Sequence, residues 1–286
     1  MIEESSNTLN RLKAPLQGMG AVAGEPLYVI KIGGNIIDDE AKLKLFLTSF
    51  AKVEGKKILI HGGGKLATKL AVQLGVEQQL IDGRRITDAE TLKIVTMVYA
   101  GYINKNIVAQ LQANSCNAIG LCGADGNVIQ AHKRVHPTID YGFVGDVDVV
   151  NTELLKTLLE QDVNVVLAPI THDNQGVLLN TNADTIAQEI AQAMSSLYQV
   201  HLIYSFEKAG VLLDANDDAT VIPVISPSYY TALKEKQLIF AGMIPKLDNA
   251  FKALDKGVHR VVIGKAEQLG ELVEGTSGTS INKEPE

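Results

Sequence analysis

The sequence predicts an α/β protein built on a largely parallel sheet with helices on both faces. Three observations carry that reading: short apolar runs rich in β-branched residues recur along the chain, segments of helical periodicity separate them, and two of the runs break on glycines. Alternation of this kind calls for crossover helices, and these bury both faces of a parallel sheet. With 286 residues, 46% of them hydrophobic, the chain can fill one large domain or two lobes.

Residues 1–25 mix Ser, Asn, Gly and Pro around LNRLKAPL and read as a flexible extension. This stretch holds no apolar run long enough for a secretory signal or a membrane span, so no membrane partner is expected and the cytoplasm is the default location. Strand-like runs follow at 27–32, 57–60, 118–121, 163–169, 200–204 and 258–263. Helical patterns at 40–53, 65–74, 88–114, 151–160, 182–194 and 245–255 fill the intervals between them. Two stretches break the alternation. Across 123–147 an Asp-Gly pair, repeated glycines and scattered β-branched residues predict hairpins flanking a site, and across 214–223 the acidic run ANDDATVIP predicts another hairpin. The second has no metal spacing, because the glycine and terminal glutamate of a calcium loop are missing. From Gly275 onward the chain is polar apart from Ile281, and residues 282–286 are expected to fray.

A formal net charge of -7 and a pI near 5.4 argue against a general nucleic-acid or acidic-membrane surface and leave a small molecule as the expected partner. Cys116 and Cys122 are too far apart for a C-x-x-C motif and have no histidine pattern to complete a zinc site, so both read as free core thiols and no protein metal site is expected.

The chemistry concentrates in glycine loops. In YVIKIGGN, residues 28–35, a strand delivers Lys31 to Gly33 and Gly34; in the second loop a strand runs into His61, Gly62, Gly63 and Gly64. Lysine is rarely buried without a partner, and an anion held by the following backbone N–H groups would supply one; the alternative is a lysine that snorkels from the strand end. Two such loops suggest one phosphate cradle. Neither is a better-known motif: HGGGKLAT lacks the Walker spacing, and no G-x-G-x-x-G is present. The run NTNAD, residues 180–184, stands at a loop-to-helix junction, where its polar side chains either cap the helix or, at alternate positions, face a ligand. Lys246 falls near a helix start, where the helix dipole opposes a cation and a bound anion would relieve the conflict.

Taken together, KIGGN, HGGGK, DGRRIT, GLCGADG, GFVGDV, LAPI, NTNAD and AGMIPK resemble the amino acid kinase family, and within it the N-acetylglutamate kinases, over almost all of residues 28–281. The resemblance implies a three-layer αβα sandwich, with an N-lobe of about 26–179 binding an N-acyl-L-glutamate and a C-lobe of about 180–281 binding ATP with Mg2+. It also implies a homodimer joined through the N-lobes and a place in arginine biosynthesis. The implied reaction phosphorylates the γ-carboxylate of the acylglutamate. That carboxylate is ionised at neutral pH, so no general base is required and catalysis reduces to positioning and charge stabilisation. By the resemblance, Lys31 and Lys246 stabilise the transferring and leaving phosphates, and Asp184 holds both ammonium groups. The backbone N–H groups of Gly33, Gly34, Gly63 and Gly64 cradle oxygens, Arg85 clamps the substrate α-carboxylate, and Asn180 and Asn182 complete the pocket. Magnesium binds through ATP and water.

The chain departs from the family in two places. The family's Ser/Thr-Asp pair after a C-lobe strand is replaced by Ser205-Phe206-Glu207-Lys208, so no ribose or adenine contacts are assigned. Arg84 and Lys65 stand where the family commonly has an apolar and a small residue. Either they face solvent or pair with Asp82 or Glu77, or they flank the pocket for a substrate with an extra carboxylate, such as N-succinyl-L-glutamate. A ligand-binding protein that keeps the fold without phosphotransfer is the remaining alternative. Arginine-inhibited members carry a longer N-terminal helix; Pro15, Gly18, Gly20 and Gly24 make poor helix material, so an arginine-insensitive dimer is expected.

Overall fold

The computed structural model describes residues 24–81, 84–239 and 243–283, the Pro245 side chain excepted. Strand β1 (Pro26–Ile32) leads through Gly33 into a one-turn helix α1 (Gly34–Ile37), and then into α2 (Glu40–Lys52), whose start is fixed by the Asp39 side chain accepting the Lys42 N–H. β2 (Lys56–His61) and α3 (Gly64–Gln73) repeat the strand–glycine–helix pattern. A short hairpin of β3 (Leu80–Ile81) and β4 (Arg84–Arg85) precedes α4 (Ala89–Thr96), a π-helical stretch (Met97–Ile103), α5 (Asn104–Ala113) and β5 (Ala118–Leu121). β6 (Ile129–Lys133) and β7 (Gly145–Val150) form the hairpin predicted across 123–147. Then come α6 (Thr152–Glu160), β8 (Asn164–Leu167), β9 (Ile170–His172), β10 (Leu178–Asn180) and α7 (Ala183–Met194). The chain continues with β11 (Gln199–Phe206), β12 (Val224–Ile225), α8 (Pro227–Glu235), α9 (Ile244–Asp255), β13 (Arg260–Lys265), α10 (Leu269–Glu274) and β14 (Thr279–Ile281).

Eight strands make one sheet in the order β12-β14-β13-β11-β1-β2-β8-β5, and every neighbouring pair is parallel except β13 with β14. A four-stranded sheet, β10-β9-β6-β7, stands beside it. Side chains alternate along β1: Leu27 and Val29 join a core with Ile186 and Ile190 of α7, whereas Ile30 and Ile32 join a second core with Phe46 and Phe50 of α2. These two cores on opposite faces are the predicted three-layer αβα sandwich. The same period places Lys31 with Leu27 and Val29, on the face that α7 covers. β1 is thus central, flanked by β2 on one side and β11 on the other, and all three strands end at the same edge.

One expectation is corrected. The helix predicted over 88–114 is interrupted by the π-helical stretch, whose extra residue per turn re-aims Tyr99 and Ile103 toward the second glycine loop. The hairpin predicted across 214–223 is present in minimal form: Leu212 bridges Val221 antiparallel, and the N–H groups of Leu213 and Ile222 donate to the Thr220 and Val211 carbonyls. Its Asp214 and Asp217 carboxylates accept the N–H groups of Asn216 and Ala219, so the acidity serves the turn itself. Within the polar C-terminal stretch, Thr279–Ile281 form the antiparallel strand β14 against β13. Cys116 and Cys122 are free thiols, as expected. The reading of the N-terminal extension concerns residues that, apart from Gly24 and Glu25, lie outside those described, and so do 284–286 of the tail.

Candidate active site

Lys31 is the second-last residue of β1, and Asp184 is the second residue of α7. The start of α7 is set by Asn182, whose side-chain oxygen accepts the N–H groups of Asp184 at 2.8 Å and Thr185 at 3.1 Å. That cap aims Asp184 across the top of β1, where its carboxylate meets the Lys31 ammonium at 2.6 Å. Burial pushes the Asp184 carboxyl up, but Lys31, and then Lys246, outweigh it and hold the group below its ordinary value, ionised at neutral pH.

All the residues assigned from sequence except Gly33 and Lys246 line one cavity of about 630 Å3. Lys65, Arg84 and Arg85 stand on its wall, as do Asn180 and Asn182. The first glycine loop behaves differently from expectation. The N–H of Gly33 is bonded to the Ser205 carbonyl at 3.0 Å, so it ties the loop to β11 and cannot also cradle a phosphate oxygen. Gly34 begins α1, and its N–H has no intrahelical acceptor. In the second loop Gly63 caps α3 and Gly64 begins it, so a ten-residue helix directs its N-terminus at the cavity.

The second loop is held from beneath. His61 is fully buried; its Nδ1 donates to the Gly62 carbonyl at 2.8 Å, and its Nε2 accepts from Asn104 Nδ2 at 3.2 Å. Burial drives its pKa down to about 4, the cation of Lys105 adding to that effect, so the imidazole is a neutral brace with no acid–base role near pH 7. Asn104 also donates to the Val166 carbonyl at 3.0 Å, anchoring the brace to β8. Nothing in the sequence pairs His61 with Asn104; the sheet and α5 bring them together.

Arg85 is fixed by three protein acceptors: Gln78 Oε1, the Gly64 carbonyl at 2.9 Å and Thr68 Oγ1 at 2.9 Å. Its guanidinium therefore stands at the cavity wall in a set orientation. Asn182 uses its oxygen as a helix cap, and Asn180 donates to Thr87 Oγ1 at 3.0 Å. Among the described residues neither Arg84 nor Lys65 pairs with Glu77; Lys65 bonds Asn35 Oδ1, and the pairing considered for Asp82 falls outside the described residues. Sequence reasoning missed two further cations on the wall, Lys69 and Arg134. Lys69 lies one helical turn beyond Lys65 and was open to a spacing argument. Arg134, which pairs with Asp146 through three contacts, two of 3.1 Å from Nε and one of 2.5 Å from Nη2, reaches the wall only because the β6–β7 hairpin folds over it.

Lys246, the third residue of α9, lies in the wall of a second cavity of about 370 Å3, with Phe206, Lys208, Leu212 and Met243. The expectation that Asp184 touches both ammonium groups is corrected: its carboxylate meets Lys31, and its pull on Lys246 acts over a longer distance. Lys246 instead rests over the Phe206 ring, with Nζ 4.9 Å from the centroid.

Among the described residues no group of three or more His, Cys, Asp or Glu side chains could hold a metal ion, and no helix is long and apolar enough to cross a membrane.

The sequence profile of the amino acid kinase family matches residues 26–265. An acetylglutamate kinase from Phocaeicola vulgatus is 55% identical over 259 residues, covering 91% of this chain and 99% of the relative. One from Cytophaga hutchinsonii is 56% identical over 250 residues, covering 87% and 95%. Among solved structures, N-acetylglutamate synthase from Neisseria gonorrhoeae, complexed with coenzyme A and N-acetyl-glutamate, superposes with a TM-score of 0.76 at 24% identity. That match covers 92% of this chain, which spans 60% of the synthase chain. Carbamate kinase from Giardia lamblia bound to AMP-PNP superposes with a TM-score of 0.67 at 16% identity, covering 92% and 99%. These two likenesses concern the fold.

The second glycine loop yields a test. Gly63 has φ +154°, and a Cβ there would run into Ile103 Cδ1 and stand 3.0 Å from the Tyr99 ring. Gly63→Ala should lose about 1–3 kcal/mol of stability from backbone strain and crowding and lower activity more than tenfold, because the helix N-terminus shifts off the cavity. Thermal melting beside a turnover assay checks this; unchanged melting and turnover would show that the loop tolerates a side chain.

Proposed function

The chain belongs to the amino acid kinase family, and we propose that it transfers the γ-phosphoryl group of ATP to the γ-carboxylate of N-acetyl-L-glutamate, a step of arginine biosynthesis. The single observation that carries this reading is the Lys31–Asp184 pair at the lip of a cation-lined cavity, with Lys246 on the neighbouring cavity. Relatives more than half identical over most of the chain, named acetylglutamate kinases, support the substrate. Nothing in the site favours a fold that has lost phosphotransfer.

In the proposed arrangement the acylglutamate occupies the larger cavity, walled mostly by the N-lobe of about 26–179, and the nucleotide the smaller one in the C-lobe of about 180–281. The γ-carboxylate oxygen attacks the γ-phosphorus, a new O–P bond forms in line, and the β–γ bridging bond breaks with its electron pair leaving on ADP. Lys31 offsets charge on the transferring group, Lys246 offsets it on the leaving side, and the α3 N-terminus with Gly34 and Gly64 supplies backbone donors. Arg85, already oriented by its protein acceptors, presents its charge and its remaining N–H donors to the substrate α-carboxylate. The described residues offer no carboxylate cage for Mg2+, so the ion is assigned to the ATP phosphates and their waters, and no protein ligand is assigned to it.

A second reading concerns the acyl group, and one observation favours it. The Arg84 side chain lines the substrate cavity with no ion pair or hydrogen bond among the described residues, and Lys65 and Lys69 stand on the same wall. Cations so placed suit an acyl chain ending in a carboxylate, such as the succinyl group, alongside acetyl.

The kinase assignment and the acyl group are each open to measurement. With ATP, magnesium, acetylglutamate and hydroxylamine the protein should form the hydroxamate of the acyl phosphate, and Lys31→Ala or Lys246→Ala should lower kcat roughly a hundredfold or more with the fold intact. Absence of hydroxamate from the unmodified protein sinks the kinase assignment; wild-type turnover in a variant removes that lysine. For the acyl group, Arg84→Leu and Lys65→Ala should reduce kcat/KM for succinylglutamate about tenfold to a hundredfold relative to acetylglutamate. A wild-type enzyme that strongly prefers acetyl, with neither variant altering the ratio, would make both cations bystanders. We further assign a homodimer through the N-lobe, supported by Met97 and Tyr102 exposed at 54% and 65% on the π-helical stretch. Sedimentation should give twice the chain mass, unchanged by arginine; a monomer or a hexamer contradicts it.

A further inference from the structure

Lys246 lies in the first turn of α9, where the helix dipole opposes a cation. Burial pushes its ammonium below the ordinary lysine value; Asp184 opposes that shift, Lys31 adds to it, and Glu207 opposes it again. Among the described residues no carboxylate comes within ion-pair distance of it. The group that does lie against it is the Phe206 ring, with its centroid 4.9 Å from Nζ.

Phe206 is itself tightly set. It ends β11, in register with Lys265 of β13, and its Cβ would stand 3.5 Å from a Cβ at Gly33. The Gly33 N–H bonds the Ser205 carbonyl at 3.0 Å, which locks the first glycine loop to the strand end that carries the ring. The root of the side chain therefore follows from the sheet, and the half-buried ring packs against the core beneath it.

We infer that Phe206 is a positioning residue for Lys246, its ring face steering the ammonium toward the nucleotide without neutralising it. This rests on the assignment of Lys246 to the leaving phosphate. The chemistry favours an aromatic here. A carboxylate at this place would take ammonium donors and cancel the charge, whereas a ring attracts the cation through its quadrupole and leaves the N–H groups free for phosphate oxygens.

The test uses the full chain with Phe206→Leu, Phe206→Tyr and Phe206→Asp, each checked by thermal melting, with Phe206→Met replacing the leucine variant should that fail to fold. Phe206→Leu should lower kcat by about threefold to thirtyfold with the KM for ATP changed less than about threefold, and Phe206→Tyr should stay near wild type. Phe206→Asp should fall below Phe206→Leu.

The basic limb of the kcat profile supplies a readout that packing alone does not move. The ring favours the charged ammonium, so its loss lets burial depress Lys246 further, and deprotonation comes at lower pH in Phe206→Leu but not in Phe206→Tyr; Asp184, Lys31 and Glu207 are common to all variants. Direct titration of the lysine side chains by NMR reads the same shift without turnover, so the inference stands or falls even if no acyl phosphate forms. A wild-type kcat and titration in Phe206→Leu, a tyrosine variant as impaired as the leucine one, or an effect confined to the KM for ATP would each overturn it.

Discussion

A lysine ammonium in the middle of a sheet is the constraint around which the molecule is arranged. β1 is paired on both edges and covered on both faces, so the Lys31 side chain is only 15% exposed and its ammonium opens onto the cavity alone. Its charge is tolerable because α7 begins where Asn182 caps it, one residue before the helix proper, and this aims the second helical residue, Asp184, at the ammonium. The cap, the helix start and the strand period have to agree to within one residue. Shifting α7 by a single position would rotate Asp184 about 100° around the helix axis and leave both charges unpaired.

The pair is also the joint between two cavities of different character. The larger gathers Lys31, Lys65, Lys69, Arg84, Arg85 and Arg134 in a chain whose formal net charge is -7. Sign at the surface and sign at the site are therefore opposite, which draws an anionic substrate to one place and discourages general binding of polyanions. The smaller cavity holds Lys246, whose ammonium burial pushes below the ordinary lysine value, held over a ring and pulled on by Asp184 from a distance.

The two glycine loops look alike in sequence and do unlike work. The first uses the Gly33 N–H to bind its strand end to β11, a structural bond between neighbouring strand ends. The second faces the cavity as a helix N-terminus and is stiffened by the neutral His61 and Asn104 beneath it. The proposed anion-holding role asks for a loop that is rigid before any ligand arrives, and a buried, fully bonded imidazole supplies that rigidity without adding a charge.

Much of this was legible in the residues. Alternating strand and helix periods gave the parallel sheet and its two covering layers, since period and polarity are local properties of a chain. Lys31 and Lys246 could be singled out because each sits where a cation is locally unfavourable, and the family motifs, NTNAD among them, added Asp184. The remainder needed distance. That Gly33 bonds Ser205 while Gly63 and Gly64 face the cavity depends on which strand end each loop meets. Arg134 joins the wall through a hairpin, and Asn104 finds His61 from 43 positions away. Lys246 rests on Phe206 because α9 and the end of β11 are packed together. The sequence by itself determined which residues carry charge and what periods they follow; the tertiary structure alone decided their partners, because pairing depends on separation in space and on burial, which no spacing along the chain encodes.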